Sequence, residues 1–171
     1  MLINDTRKKH GFTLAEILVS MFIIITLTTL LLVNYHSTNK RSELVMATQK
    51  LASDIRLTQE YALGSKEFYF EEVSQGVPPG GWGIRFVQPD YVYIFADNEP
   101  GGATNILGYY KTINLPKGIS LISNNVSIVF EQPNPTVYIE GGASSVIIEL
   151  TNGESNKRIK VNFLGLVDVM D

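Results

Sequence analysis

Arg7-Lys8-Lys9-His10-Gly11-Phe12-Thr13-Leu14-Ala15-Glu16 opens the stretch that decides the fold, and an apolar run continues from it to Val33. Between Phe12 and Val33 the only strongly polar side chain is Glu16; the others are Leu, Ile, Val, Phe, Met and Ala with a few Ser and Thr. As a helix rising about 1.5 Å per residue, these residues span roughly 33 Å, against a bilayer hydrocarbon core of about 30 Å. The segment is long enough to cross. Ser20, Thr26, Thr28 and Thr29 are compatible with crossing, because their hydroxyls can bond to the preceding helical turn. Asn34-Tyr35-His36 marks the exit, since an amphipathic aromatic favours the membrane interface.

The order of signals separates this segment from a secretory signal peptide, which places its small-residue cleavage site after the apolar region. Here the small residue, Gly11, precedes it and directly follows the basic residues. A cut between Gly11 and Phe12 therefore keeps the apolar helix in the mature chain. The basic leader favours a cytoplasmic N-terminus and a C-terminal portion outside, with Lys40 and Arg41 opposing that bias on the far side.

This arrangement of basic residues, Gly11, Phe12, Thr13, Leu14, one variable residue and Glu16 before an apolar run resembles the processing motif of type IV prepilins and pseudopilins. The resemblance implies that a membrane prepilin peptidase cleaves after Gly11 and N-methylates the new first residue, Phe12. It also implies that Phe12 and Glu16 serve assembly, the Glu16 carboxylate pairing with the new amino group at Phe12 of a neighbouring subunit. Ala15 departs from the large aliphatic residue usual at the variable position. Read without the resemblance, Glu16 is a carboxylate near a helix N-terminus that complements the macrodipole and reaches the headgroups.

Beyond Tyr35 no Gly or Pro appears until Gly64, so the helix is expected to continue to Leu63, roughly 78 Å from Phe12 if unbroken. Leu44, Thr48, Leu51, Ile55, Thr58 and Ala62 recur at spacings of four and three and form a stripe suited to covering a sheet. Lys40, Arg41, Glu43, Lys50, Asp54, Arg56 and Glu60 read as a solvated face, and Gly64 as the C-cap. After Gly64 the pattern changes to short strands rich in Val, Ile, Tyr and Phe, expected at 67–73, 83–87, 91–96, 109–113, 119–122, 126–130, 136–139, 146–150, 158–163 and 166–169, with Gly, Pro and Asn between them. The fold class is α+β: a long N-terminal helix, membrane-spanning in its first half, packed on an antiparallel β-sheet domain as in pilins. Expected segments are a leader at 1–11, a transmembrane and assembly helix at 12–35, an amphipathic continuation at 36–64 and a β-rich globular domain at 65–171. Residues 50–62, together with the strand-rich remainder, resemble the GspH/FimT-like minor pseudopilins.

Composition narrows the chemistry. The net charge is −3 and there is no cysteine. A general nucleic-acid coat needs a basic surface, and without thiols there is no disulfide, zinc-thiolate site or thiol nucleophile. His10 lies in the leader and His36 at the membrane exit, which leaves the β-domain without a histidine for Ser-His or zinc chemistry. No enzyme activity and no cofactor are expected. Asp97, Asn98, Glu99 and Asn105 could offer oxygen ligands to calcium, but their spacing is not that of an EF-hand and reads better as an exposed loop. The Gly-rich segment 76–83, with Pro78, Pro79 and Trp82, lacks the Lys-Ser/Thr of a phosphate loop and reads as a displayed loop. Lys157, Arg158 and Lys160 form the one concentrated basic cluster; the FimT resemblance offers DNA contact for it, and a charged strand edge explains it as well. Expected partners are the prepilin peptidase, other pilin or pseudopilin subunits and membrane lipid, rather than nucleic acid.

Overall fold

The computed structural model describes residues 12–100, 105–123, 125–131 and 136–170, without the side chains of 33–38. The leader, Gly11 included, and the side chains of Tyr35 and His36 lie outside the described residues. Helix α1 (Leu14–Leu63) contributes to two compact units, Met1–Asn39 and Lys40–Asp171.

In the first unit Leu14–Leu32 has a mean hydropathy of 2.3, and no part of it is buried. Its hydroxyls are satisfied as expected. Ser20 Oγ donates to the Glu16 carbonyl at 2.7 Å, Thr28 Oγ1 to that of Ile24 at 2.7 Å and Thr29 Oγ1 to that of Ile25 at 2.8 Å. Thr26 Oγ1 lies 2.9 Å from the carbonyls of both Phe22 and Ile23. Back-bonding of this kind lets a hydroxyl remain in an apolar helix without an unmet donor.

In the second unit the α1 stripe is buried throughout: Leu44, Thr48, Leu51, Ile55, Thr58 and Ala62. The two buried threonines repeat the same device, Thr48 donating to the Leu44 carbonyl at 2.7 Å and Thr58 to that of Asp54 at 2.8 Å. Asp54 departs from its expected place on the solvated face, since it is buried at 7% exposure. It lies within one helical turn of both Leu51 and Thr58, close enough to the stripe to be covered, and Lys111 Nζ stands 3.5 Å from its Oδ1.

Eleven strands follow among the described residues: β1 (Tyr69–Phe70), β2 (Val73–Ser74), β3 (Gly81–Val87), β4 (Tyr91–Asp97), β5 (Ile106–Asn114), β6 (Ser120–Leu121), β7 (Val126–Phe130), β8 (Val137–Ile139), β9 (Ser145–Thr151), β10 (Asn156–Asn162) and β11 (Val167–Met170). They form an antiparallel five-stranded sheet in the order β5-β4-β3-β7-β8, a four-stranded sheet in the order β11-β10-β9-β6, and the hairpin β1-β2. The expected strand at 67–73 is thus a hairpin. Glu71 and Glu72 turn the chain with φ of 48° and 66°, an arrangement that Asn-Gly would have signalled and Glu-Glu does not.

The core runs between α1 and the sheets and includes Trp82, Ile84, Phe86, Ile94, Phe130 and Ile148. Alternation along the strands accounts for it: in β10, Ile159 and Val161 are buried while Arg158 and Lys160, which alternate with them, are exposed. One transverse row crosses the larger sheet in register, Gly108–Ala96–Trp82–Phe130–Val137. Trp82 sits at its centre, fully buried, with Nε1 donating to the Lys66 carbonyl at 3.0 Å. The Gly-rich segment is therefore not a displayed loop, because β3 begins at Gly81 and draws Trp82 inward. Polar contacts join α1 to the smaller sheet: Arg56 Nη2 donates to the Val167 carbonyl at 2.9 Å, Asn152 Nδ2 to that of Lys40 at 3.0 Å, and Lys40 Nζ lies 2.6 Å from Glu154 Oε1.

Candidate assembly site at the helix N-terminus

The first turn of a helix leaves backbone N–H groups without partners, and a Ser or Thr at the cap with Glu three residues on can satisfy two of them reciprocally. Thr13 and Glu16 do this. The Glu16 N–H donates to Thr13 Oγ1 at 3.3 Å, while Glu16 Oε2 accepts from the Thr13 N–H at 2.8 Å and from the Thr13 hydroxyl at 2.9 Å. The one carboxylate of the apolar segment is thus aimed back over the chain end, toward Phe12. Phe12 precedes the helix and is 82% exposed. Because the bonds join Thr13 to Glu16, cleavage before Phe12 leaves them intact. The letters Thr13-Leu14-Ala15-Glu16 carry this signature, which reading Glu16 only as a charge near a helix end overlooks.

Residues 6–32 match the family model described as a prokaryotic N-terminal methylation motif. The match shows that this segment carries the motif found at the start of type IV prepilin-like precursors. No curated protein and no solved structure matches the chain. The prepilin motif thus coincides with the capped start of the exposed apolar helix, and it covers the residue pair, Phe12 and Glu16, expected to serve assembly.

The other sequence candidates of this prepilin-like chain fall elsewhere. On β10, Arg158 and Lys160 share the exposed face, and Lys157 alternates to the other side opposite Leu150. Arg158 is paired, its Nε 3.2 Å from Glu149 Oε1, and Lys160 has Asp168 as its register neighbour across the β10-β11 pair. This face does not present the unbalanced positive charge that phosphate binding requires.

Asp97, Asn98, Glu99 and Asn105 do come together, although as a loop closure rather than a ligand shell. Asp97 is buried, its Oδ1 accepts from the Asn105 N–H at 2.8 Å, and the Asn98 N–H donates to the Asn105 carbonyl at 2.8 Å. Burial raises the Asp97 pKa above its ordinary value, and N–H donors from Asn105, Asn98 and Glu99 oppose the rise. Among the described residues no group of three or more acidic or histidine side chains is placed to hold a metal.

A further cluster escaped the sequence reading. Lys66 Nζ sits 3.5 Å from the centroid of the Tyr61 ring and 4.0 Å from that of Tyr110, and donates to the Tyr110 hydroxyl at 2.7 Å. That hydrogen bond lowers the Tyr110 pKa. Tyr61, Trp82 and Tyr110 meet edge to face at 5.3 to 5.6 Å, which ties the end of α1 to β3 and β5.

Proposed function

We propose that this chain is a filament subunit, a minor pilin or pseudopilin of the GspH/FimT-like kind in a type IV pilus or type II secretion machine, with no active site of its own. Prepilin peptidase cleaves between Gly11 and Phe12 and methylates Phe12. The chain then rests in the cytoplasmic membrane by Leu14–Leu32, N-terminus in the cytoplasm and globular unit outside, until it enters the filament.

One observation carries this reading: a span long enough to cross the membrane, exposed along its whole length, begins at a carboxylate that is fixed by Thr13 beside the residue that becomes the chain terminus. Lipid satisfies the apolar side chains of the single subunit, and neighbouring helices satisfy them in a filament. In that packed setting a bare α-amino group is costly, and the Glu16 carboxylate of a neighbour offsets the cost. The alternative reading, a filament-borne DNA receptor using β10, is disfavoured by the Arg158–Glu149 ion pair and by the acidic Asp168 opposite Lys160 in the register.

Co-expression with a prepilin peptidase tests the first step. The expected product lacks residues 1–11, begins with N-methylated Phe12, and has lost Asp5, Arg7, Lys8 and Lys9, taking the net charge from −3 to −5. Intact-mass measurement reads this directly. A protein that keeps Met1 under those conditions is not a peptidase substrate, and the subunit reading fails with it.

A further inference from the structure

Asn152-Gly153 is the one Asn-Gly pair in the chain, and it lies in the turn between β9 and β10. Aspartate serves such a turn as well as asparagine does, so the turn alone does not explain the amide. Its bonds do. Asn152 Oδ1 accepts from the N–H groups of Glu154 at 3.0 Å and Ser155 at 2.8 Å, and from the Ser155 hydroxyl at 3.3 Å. Asn152 Nδ2 donates to the Lys40 carbonyl of α1 at 3.0 Å. Three donors meet one end of the amide and a carbonyl meets the other, which fixes its orientation, because exchanging O and N would set like against like. An aspartate would keep the turn bonds but set a carboxylate oxygen against the Lys40 carbonyl, acceptor against acceptor. The tie to α1 therefore requires asparagine at this position rather than aspartate.

Asn-Gly is also the pair most prone to deamidate, since no Cβ on glycine shields its backbone nitrogen. In that reaction the Gly153 nitrogen loses its proton and attacks Asn152 Cγ, the bond from Cγ to Nδ2 breaks, ammonia leaves and a succinimide remains. Water then opens the ring to aspartate or isoaspartate. In the native turn both reacting groups are occupied. Gly153 N–H donates to Thr151 Oγ1 at 3.0 Å, the Thr151 hydroxyl donates to the Ser155 carbonyl at 3.2 Å, and the Asn152 amide is engaged at both ends. Breaking these bonds costs free energy before the reaction can begin.

We propose that Asn152 is a deamidation site kept dormant by the hydrogen bonds of the folded turn and of α1, and that its conversion unlatches the helix where the globular unit begins. Lys40 is the first residue of that unit. After conversion the donor to its carbonyl is gone, and the exposed Lys40–Glu154 ion pair is what remains of the polar tie at this turn among the described residues. A pair so exposed holds little by itself. Isoaspartate further reroutes the backbone through Cβ and disrupts the turn. Because ammonia is lost, the change runs one way.

The test follows the full chain in detergent micelles, held in mildly alkaline buffer and digested at intervals, with the peptide containing Asn152 weighed for amide-to-acid conversion. Conversion in the native chain should be at least tenfold slower than in the same chain unfolded by guanidinium. Thr151→Val removes the acceptor of the Gly153 N–H, and Ser155→Ala removes the hydroxyl that donates to Asn152 Oδ1. Each should speed native conversion several-fold with the circular dichroism unchanged. Asn152→Asp should raise hydrogen exchange at least tenfold at the Leu44 amide, which shares the Lys40 carbonyl in the ladder of α1, while exchange in β3 and β4 stays as in the wild type. Native conversion as fast as in guanidinium, or no acceleration in either turn variant, overturns the dormant site. Wild-type exchange at Leu44 in Asn152→Asp overturns the latch.

Discussion

Glu16 does two things at once, and substitutions can separate them. Its carboxylate caps the first helical turn through Thr13, and in the proposed filament it meets the amino group of a neighbouring Phe12. Glu16→Gln keeps a side chain able to complete the capping box and removes only the charge. Glu16→Val removes both, at a cap cost of about 1 kcal/mol, while easing membrane insertion by up to ~3 kcal/mol at a central position and less near the end. Membrane levels of both variants should therefore match wild type. If the charge is what assembly needs, an unpaired buried cation costs about 3 kcal/mol or more, and both variants should be depleted at least tenfold from filaments. Quantifying membrane-resident and filament-associated protein decides the matter. Normal incorporation of Glu16→Gln with loss of Glu16→Val would make capping the whole role of this residue. At this scale the sequence was uneven. Gly11, Phe12 and Glu16 stood out by residue type and order, whereas Asp54 and Lys66 did not, because their surroundings come from β5, far along the chain.

Helix α1 stops where Gly64 indicated, but the left-handed residue is the next one. Ser65 N–H donates to the Ala62 carbonyl at 3.1 Å and Lys66 N–H to that of Tyr61 at 3.0 Å, a Schellman closure with Ser65 at φ of 49°. A side chain in this conformation costs roughly 1 to 2 kcal/mol that glycine avoids. Ser65→Gly should thus stabilise the globular unit by up to about 1 kcal/mol, after glycine's larger loss of freedom on folding is deducted. Denaturant titration checks the sign: the midpoint should rise at constant slope. Element by element, what could be read from the sequence followed from period. The stripe from Leu44 to Ala62 was visible because each of its members returns to one face, and the strands from β7 to β11 because their alternation is bounded by Gly and Asn. The β1-β2 hairpin was hidden by its Glu71-Glu72 turn, and β3 began two residues before its expected start because Gly81 and Trp82 read as loop chemistry.

On the scale of the molecule, the core belongs to Lys40–Asp171 alone: its members begin at Leu44 and end at Val167. Among the described residues, no member of this core precedes Leu44. A fragment comprising residues 40–171 should accordingly fold without membrane or detergent, being well above the ~40 residues below which an independent core usually fails. The architecture supplies its own reporter, since Trp82 is the single tryptophan and is fully buried amid Tyr61, Phe68 and Tyr110. Its emission should be that of an apolar site in the native fragment and should shift to longer wavelength in one transition, coincident with loss of far-ultraviolet dichroism typical of mixed helix and sheet. Two separate transitions would mean that the α1 segment and the sheets do not share one cooperative core. A solvent-like emission at the outset would show that the packing of Trp82 depends on residues before Lys40, and the division of the chain into an anchor and a self-sufficient globular unit would then be wrong.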